Sequence, residues 1–109
     1  MADGLSVGRC AVIIFSKTWC PHSKRAKHIL LDLYTIDPEP YVVELDEHPH
    51  GASIQALLSE KTRRSTVPNV LVSGISIGGA DNVADLDSAG MLAEKINQLG
   101  QGRLTVTKL

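Results

Sequence analysis

An unbroken run of five apolar residues, 11–15, constrains the fold of this chain more than any other feature. The run is rich in β-branched residues and does not alternate with polar ones, which is typical of a central strand covered on both faces. Pro21 follows shortly after, and proline fits the first turn of a helix, where an N–H has no partner in any case. The sequence therefore predicts a buried strand that leads into a helix, with Cys20 at the junction.

The rest of the chain indicates further alternation of strands and helices. An apolar stripe formed by Ala26, Ile29, Leu30 and Leu33 predicts that the first helix continues until the breaker at 37–40. Strands are predicted at 41–45, 69–72 and 75–77, and helices at 54–62 and 81–99, the last with a break at Gly90. Ser73 and Gly74 form a two-residue hairpin signal. The order β-α-β-α-β-β-α predicts a thioredoxin-like α/β fold, a three-layer sandwich with a four-stranded mixed sheet and flanking helices.

Length and composition predict a single domain over residues 1–109. Residues 1–9 are expected to be a lead-in, and the tail at 101–109 is expected either to add a strand or to fray. A net charge of −1 makes nucleic acid and anionic membranes poor candidates as main partners. No apolar run approaches the roughly 20 residues that span a bilayer, so no membrane segment is expected.

The chain has two cysteines, too few for a disulfide scaffold. Five or six extended residues at roughly 3.3 Å each would keep Cys10 and Cys20 beyond disulfide reach. Cys10 is therefore predicted to be a small buried strand residue. Cys20 lies at the positive end of a helix dipole and near Lys17, and both favour the nucleophilic thiolate.

Three blocks of sequence resemble the glutaredoxin family. They are Phe-Ser-Lys-Thr-Trp-Cys-Pro-His-Ser at 15–23, Thr-Val-Pro-Asn at 66–69, and the Gly-Gly pair at 78–79, which is followed by an acidic residue. The likeness covers residues 10–99 and is nearest to fungal single-cysteine glutaredoxins of the secretory pathway. Ser23 stands where dithiol members have a second cysteine, and the sequence leaves open whether this serine is native or engineered. His22 stands where an aromatic residue is more common.

The resemblance implies a role for each residue of these blocks. Cys20 would be the nucleophile, and Lys17 would lie near both the thiolate and the glycyl carboxylate of glutathione. Val67, before a cis Pro68, would offer its backbone to the cysteinyl part of glutathione. The other expected glutathione contacts are His22, Arg64, Thr66, Gly79, Ala80 and Asp81. Three alternatives stay open: His22 is a tuning group or a plain rim residue, Arg64 touches the ligand or does not, and Asp81 binds the γ-glutamyl amino group, caps a helix, or does both.

The resemblance implies an enzyme, a glutathione-dependent thiol–disulfide oxidoreductase that reduces glutathione mixed disulfides by a monothiol mechanism. The alternative is a dimer that holds a [2Fe–2S] cluster with glutathione, and Pro21 disfavours it because cluster-binding relatives tend to have Gly or Ser there. A redox-inactive interaction domain is the third reading. We expect a monomer without a bound metal, whose partners are glutathione and glutathionylated proteins or small disulfides. Its expected compartment is the secretory-pathway lumen, with the cytoplasm as the alternative.

Overall fold

The computed structural model describes residues 11–109, so the predictions for Cys10 and for the lead-in lie outside the described residues. The elements in chain order are β1 (Val12–Ser16), α1 (Pro21–Lys27), a π-helical turn (His28–Asp32), β2 (Tyr34–Asp37), β3 (Tyr41–Glu44), α2 (Gly51–Thr62), β4 (Asn69–Val72), β5 (Ile75–Gly78), α3 (Ala80–Ser88), α4 (Leu92–Gly100) and β6 (Thr105–Lys108).

The central sheet has four strands in the order β3-β1-β4-β5. β1 runs parallel to β3 and antiparallel to β4, and β4 and β5 form an antiparallel hairpin. Both turn residues of that hairpin, Ser73 and Gly74, have positive φ, as a type I′ turn requires. The predicted mixed sheet is confirmed, and the turn lies where its sequence signal predicts it.

The sheet is covered on both faces, which gives three layers. Val12 and Ile14 of β1 face one core, and Ile13 and Phe15 face the other. The first core is filled by Ile29 and Leu30 after α1, Val83 of α3, and Leu92 and Ile96 of α4. The second is filled by Leu45 and Leu58, with the half-buried Ile54, Val67 and Leu71. Every residue of β1 is buried, so the prediction of a doubly covered central strand is confirmed.

The prediction that one helix continues to residue 36 is wrong. α1 ends at Lys27, and after the π-helical turn the chain enters β2. In β2 the buried Tyr34 and Ile36 alternate with the exposed Thr35 and Asp37, which is the two-residue period of a half-covered strand. Tertiary pairing therefore overrides the helical spacing of the apolar residues before it.

The tail forms a strand and does not fray. β6 pairs antiparallel with β2 in a second, two-stranded sheet, in which Tyr34 lies opposite Lys108 and Ile36 opposite Val106. Leu104 is buried beside α4 and begins this return of the chain. Of the two readings of the tail, the structure selects the extra strand.

A polar cluster attaches β6 and β2 to α3. The Tyr34 hydroxyl donates to Asp87 Oδ1 at 2.5 Å, and Lys108 Nζ donates to the same oxygen at 2.9 Å. Burial, the hydrogen bond to Asp87 and its charge raise the pKa of Tyr34 to about 12. The hydrogen bonds from Tyr34 and then Lys108 lower the pKa of Asp87. The cluster therefore contains an ionised carboxylate at neutral pH.

We expect Asp87→Asn to lower the free energy of unfolding by about 1 kcal/mol at neutral pH, because the hydrogen bonds lose their charged acceptor. The Asp87 pKa is lower in the folded state than its unfolded value of about 3.9. The stabilisation is thus present above that value and disappears as pH falls through the folded-state pKa. Urea unfolding at neutral and acidic pH should show a difference that shrinks in acid. An equal difference at both pH values, or the same effect from the exposed Asp85→Asn, would contradict the assignment.

No helix within residues 11–109 has the length and apolar character needed to cross a membrane.

Candidate active site

Cys20 lies at the junction of β1 and α1, where the sequence predicts it. It is the N-cap residue of α1, with extended backbone angles, and Pro21 occupies the first helical turn. Its N–H donates to the carbonyl of Lys17 at 3.1 Å, and its carbonyl accepts the N–H of Lys24 at 3.0 Å. The side chain is a free thiol and is 6% exposed. The local fold therefore fixes the sulfur at the start of a helix.

The surroundings of Cys20 lower the pKa of its thiol. Burial acts in the opposite direction and is the largest single influence. Burial is outweighed by the combined influence of the Ser23 hydroxyl, the backbone N–H groups of Ser23 and His22, and the charge of Lys17. Donors at a helix start and a nearby cation stabilise the thiolate, which is the reactive form of cysteine.

Ser23 has a role that sequence reasoning missed, since its hydroxyl was considered only as the lack of a second thiol. The side chain is completely buried, its Oγ accepts the N–H of Lys17 at 3.3 Å, and its hydroxyl lowers the pKa of Cys20. The signal was available in the spacing. Ser23 is the third helical residue after the N-cap, and side chains at that position reach back toward the cap in the capping box.

The turn between β1 and α1 carries the half-buried Lys17 and the exposed Trp19. The Lys17 ammonium lies 5.8 Å from the centroid of the Trp19 ring, and Trp19 is 64% exposed. Between them, Thr18 donates its N–H at 3.0 Å and its hydroxyl at 2.5 Å to the carboxylate of Asp46. Asp46 was not among the predicted site residues, because nothing local connects positions so far apart along the chain.

A groove of about 320 Å³ brings seven of the predicted site residues together, a volume within the usual range for small-molecule sites. Its lining is formed by His22, Arg64, Thr66, Val67, Pro68, Ala80 and Asp81. The other three predicted site residues do not line the groove. Cys20 is the N-cap residue of α1, two residues before His22, Lys17 lies on the turn before Cys20, and Gly79 is buried. The fold thus gathers segments from three distant parts of the chain in one groove, and the helix that begins at Cys20 contributes to it.

The peptide bond between Val67 and Pro68 is cis, as the resemblance implied. Within residues 11–109, neither the N–H nor the carbonyl of Val67 takes part in a backbone hydrogen bond outside regular elements, and Val67 belongs to no strand. Arg64 lies across the same loop, and its Nε donates to the Pro68 carbonyl at 3.2 Å. The main chain at Val67 is therefore free to pair with an extended ligand.

Gly79 allows Arg64 to take this position. A Cβ built on Gly79 would collide with the Arg64 guanidinium and would lie 3.0 Å from the Pro68 carbonyl oxygen. The glycine is thus required by close approach, since its φ of −108° is open to any residue.

A buried hydrogen-bond network supports this loop, and no sequence pattern predicts it. Asn69 is 1% exposed and donates to Thr62 Oγ1 at 3.0 Å, while Ser76 Oγ donates to Asn69 Oδ1 at 2.7 Å. Thr62 Oγ1 also accepts the N–H of Arg64 at 3.3 Å. The network connects the end of α2, β4 and β5, and so fixes both ends of the segment that carries Val67 and Pro68.

Asp81 is not the helix cap. Gly79 is the N-cap residue of α3, and the Asn82 side chain accepts its N–H at 2.9 Å. Asp81 is exposed on the first turn and forms an ion pair with Arg25 at 2.9 Å. The first N–H groups of a helix have no partner within it and suit an anion, so the start of α3 can receive a carboxylate beside the Asp81 side chain.

A buried thiol with a lowered pKa, beside a cis-proline groove on a thioredoxin-like sheet, defines a thiol-redox class of protein. A family model described as Glutaredoxin matches residues 12–77, and the chain belongs to the glutaredoxin family. Monothiol glutaredoxin-7 of Saccharomyces cerevisiae is 42% identical over 95 residues, which are 87% of this chain and 47% of that protein. Glutaredoxin-C4 of Arabidopsis thaliana is 44% identical over 89 residues, 82% of this chain and 64% of that protein.

Solved structures agree with the family assignment. A buckwheat glutaredoxin–glutathione complex has a TM-score of 0.73 and 33% identity, and the match covers 86% of this chain and 83% of that one. The chain spans between about half and two thirds of the length of the curated relatives named here.

Proposed function

We propose that this protein is a glutathione-dependent thiol–disulfide oxidoreductase that reduces glutathione mixed disulfides with a single cysteine. The observation that carries the proposal is the Cys20 thiol, whose pKa is lowered in part by the backbone N–H of His22, a residue that lines the cis-proline groove. A lower pKa increases the fraction of the thiol that is present as the nucleophilic thiolate at a given pH.

The reaction balances with one protein thiol. In the first step the Cys20 thiolate attacks the glutathione sulfur of a mixed disulfide. A new S–S bond joins Cys20 to glutathione, the old S–S bond breaks, and the substrate leaves as a thiolate that takes a proton. In the second step the thiolate of a free glutathione attacks the same glutathione sulfur. Glutathione disulfide leaves, and the Cys20 thiolate is restored with two electrons supplied by glutathione. Ser23 takes no part in bond exchange.

The groove suits the glutathione half of the substrate. The free N–H and carbonyl of Val67 would pair with the cysteinyl residue as an added strand does. Lys17 and Arg64 supply positive charge for the glycyl carboxylate, and the α3 start with Asp81 suits the α-carboxylate and amino group of the γ-glutamyl end. The buckwheat relative, solved with glutathione, supports this assignment. His22 would line the rim of the bound tripeptide.

Transfer of one glutathione to Cys20 tests the proposal. A Cys10→Ala variant would be mixed with a glutathionylated peptide and followed by intact mass. We expect one glutathione per chain, located on Cys20 by peptide mapping, and its release when free glutathione is added. The absence of an adduct, or an adduct that free glutathione does not remove, would refute the proposal.

The alternative is a [2Fe–2S] cluster held between two chains. Such a cluster needs four thiolates, and the described part of each chain supplies only Cys20. One chain therefore does not fit the cluster, and two chains would have to recruit two glutathione thiols. Anaerobic reconstitution with iron, sulfide and glutathione separates the proposals. We expect a colourless monomer, and a brown dimer would favour the cluster.

We expect Gly79→Ala to weaken binding of the glutathionylated peptide, raising KM by about tenfold, because the new methyl group displaces Arg64 from the Pro68 carbonyl. The alkylation rate of Cys20 should not change, since neither Gly79 nor Arg64 is among the groups that lower its pKa. Steady-state kinetics of Gly79→Ala, Arg64→Ala and the double variant measure this. Because Gly79→Ala acts by displacing Arg64, the double variant should be no worse than Arg64→Ala alone, and additive losses would contradict this reading.

We also propose that the substrates are glutathionylated proteins or small disulfides and that the protein works in the lumen of the secretory pathway. The support is the likeness of residues 16–21, of residues 44–46 and of the tail beyond the last helix to fungal members from that compartment. Microscopy of the tagged full-length protein in its own cell type tests the compartment, and a cytoplasmic signal would contradict the proposal.

A further inference from the structure

The turn that precedes Cys20 is attached on two sides. On the α1 side, Ser23 accepts the N–H of Lys17. On the β3 side, Asp46 accepts both donors of Thr18, one with each carboxylate oxygen, at 3.0 and 2.5 Å. The Ser23 contact lies within the motif, whereas the Asp46 contact joins positions 28 residues apart.

The backbone places Asp46 where this attachment is needed. The N–H of Leu45 donates to the carbonyl of Ser16 at 2.8 Å, which continues the parallel ladder of β1 and β3 to its end. Leu45 is 4% exposed, so its core contacts fix the chain at this point. Beyond Leu45 the strands β1 and β3 both lead into loops. The next residue, Asp46, connects these two loops through its contacts with Thr18. A ladder end therefore determines where the carboxylate lies.

Asp46 has two opposite electrostatic consequences for Cys20. The hydrogen bonds from Thr18, and to a smaller degree the charge of Lys17, lower the pKa of Asp46, so the carboxylate is ionised at neutral pH. Lys17 also favours the Cys20 thiolate. If Asp46 acted only through its charge, it would offset the positive charge of Lys17 and so disfavour the Cys20 thiolate. As a hydrogen-bond acceptor, it holds the turn from which Lys17 extends.

We propose that Asp46 is a positioning residue, which binds Thr18 and thereby holds the turn from which the Lys17 charge acts on Cys20. Its effect on turnover rests on the proposed function, but the placement of Lys17 can be measured without glutathione. The two consequences predict opposite results when the carboxylate is removed. If Asp46 positions the turn, its removal should slow alkylation of Cys20. If Asp46 acts only through its charge, its removal should speed alkylation.

The test compares Asp46→Ala with Asp46→Asn in a Cys10→Ala chain. Asparagine keeps a carbonyl acceptor for the Thr18 N–H and lacks the charge, whereas alanine lacks both. Cys20 would be alkylated at mildly acidic pH with anionic iodoacetate and with neutral iodoacetamide, because a well-placed Lys17 favours the anionic reagent. Trp19 is the only tryptophan of the chain, so its fluorescence anisotropy reports the mobility of this turn directly. Glu47→Ala, a carboxylate lost from the adjacent exposed position, is the matched control.

We expect Asp46→Ala to slow iodoacetate alkylation by about tenfold, which corresponds to losing a charge-assisted hydrogen bond. The ratio of iodoacetate to iodoacetamide rates and the Trp19 anisotropy should fall with it. Asp46→Asn should stay within about threefold of the parent, and Glu47→Ala should match it. With a glutathionylated peptide, the loss in Asp46→Ala should appear in kcat/KM.

Three results would overturn the proposal: faster or unchanged alkylation in Asp46→Ala, equal losses in the alanine and asparagine variants, or a lower Tm with unchanged rates and anisotropy. If Asp46→Ala does not fold, Thr18→Val and Thr18→Ser give the same comparison. Valine removes the hydroxyl donor and should slow alkylation of Cys20. Serine keeps the donor and should leave the alkylation rate unchanged. If alkylation behaves as expected but no turnover is seen, the proposed function fails and the positioning role stands.

Discussion

Replacing Cys20 with serine is expected to reduce deglutathionylation by about 1,000-fold or more, because Cys20 is the only protein nucleophile in the proposed reaction. A serine hydroxyl is not ionised at neutral pH and forms no S–S bond, so no covalent intermediate can accumulate. The measurement is glutathione-coupled turnover of a glutathionylated peptide.

Cys10→Ala is the matched control for the Cys20 variant, and it should retain activity close to that of the parent chain. Serine is nearly isosteric with cysteine, so thermal unfolding of the reduced protein should change little. Turnover that survives in Cys20→Ser and disappears in Cys10→Ala would identify Cys10 as the nucleophile and contradict the proposed role of Cys20.

Ser23→Ala is expected to slow alkylation of Cys20 by about tenfold at mildly acidic pH. The change removes the hydroxyl that lowers the pKa of the thiol and that accepts the Lys17 N–H, and a hydrogen bond to a charged group is worth about 1.5–3 kcal/mol. The pKa of the thiol should rise, because burial raises it and fewer groups remain to lower it. The rate of iodoacetamide alkylation measured across a pH series reports this directly.

Two further variants at serine positions make the Ser23 measurement specific. Ser53→Ala removes an exposed hydroxyl on α2 and should not change the alkylation profile. Ser23→Thr keeps a hydroxyl at the site, although its methyl group must fit a fully buried position. An unchanged profile in Ser23→Ala would show that the backbone N–H groups and Lys17 stabilise the thiolate without the side chain.

The sequence predicts the centre of this fold well because its signals are local. An apolar β-branched run followed by Pro21 can form little else than a buried strand leading into a helix. The position of Cys20 follows from that order alone. The hairpin at Ser73 and Gly74 is equally local, since only residues that tolerate positive φ fit its turn.

The misread segment is explained by ambiguous spacing. Leu33 continues the helical apolar stripe, whereas Tyr34 and Ile36 follow the period of a strand, and the two patterns overlap. Only pairing with β6, some seventy residues away along the chain, decides between them. The sequence predicts β6 only as one of two alternatives for the tail, so neither strand can be used to predict the other.

In the candidate site, too, local features were predicted and contacts between distant residues were not. The groove residues came from motif blocks, and the structure places seven of them on one lining. The contacts between the blocks were missed, because they join distant positions through single atoms. Asp46 with Thr18 and Gly79 with Arg64 are of this kind. No periodicity or composition marks a residue whose role is to hold another segment in place.

The most direct test of the account is the pH dependence of Cys20 alkylation in the Cys10→Ala chain, with and without prior treatment with glutathione disulfide. The account predicts a thiol that titrates clearly below the free-cysteine value of about 8.5 and that is fully blocked by one glutathione per chain. A thiol that titrates at or above that value and takes up no glutathione would contradict it.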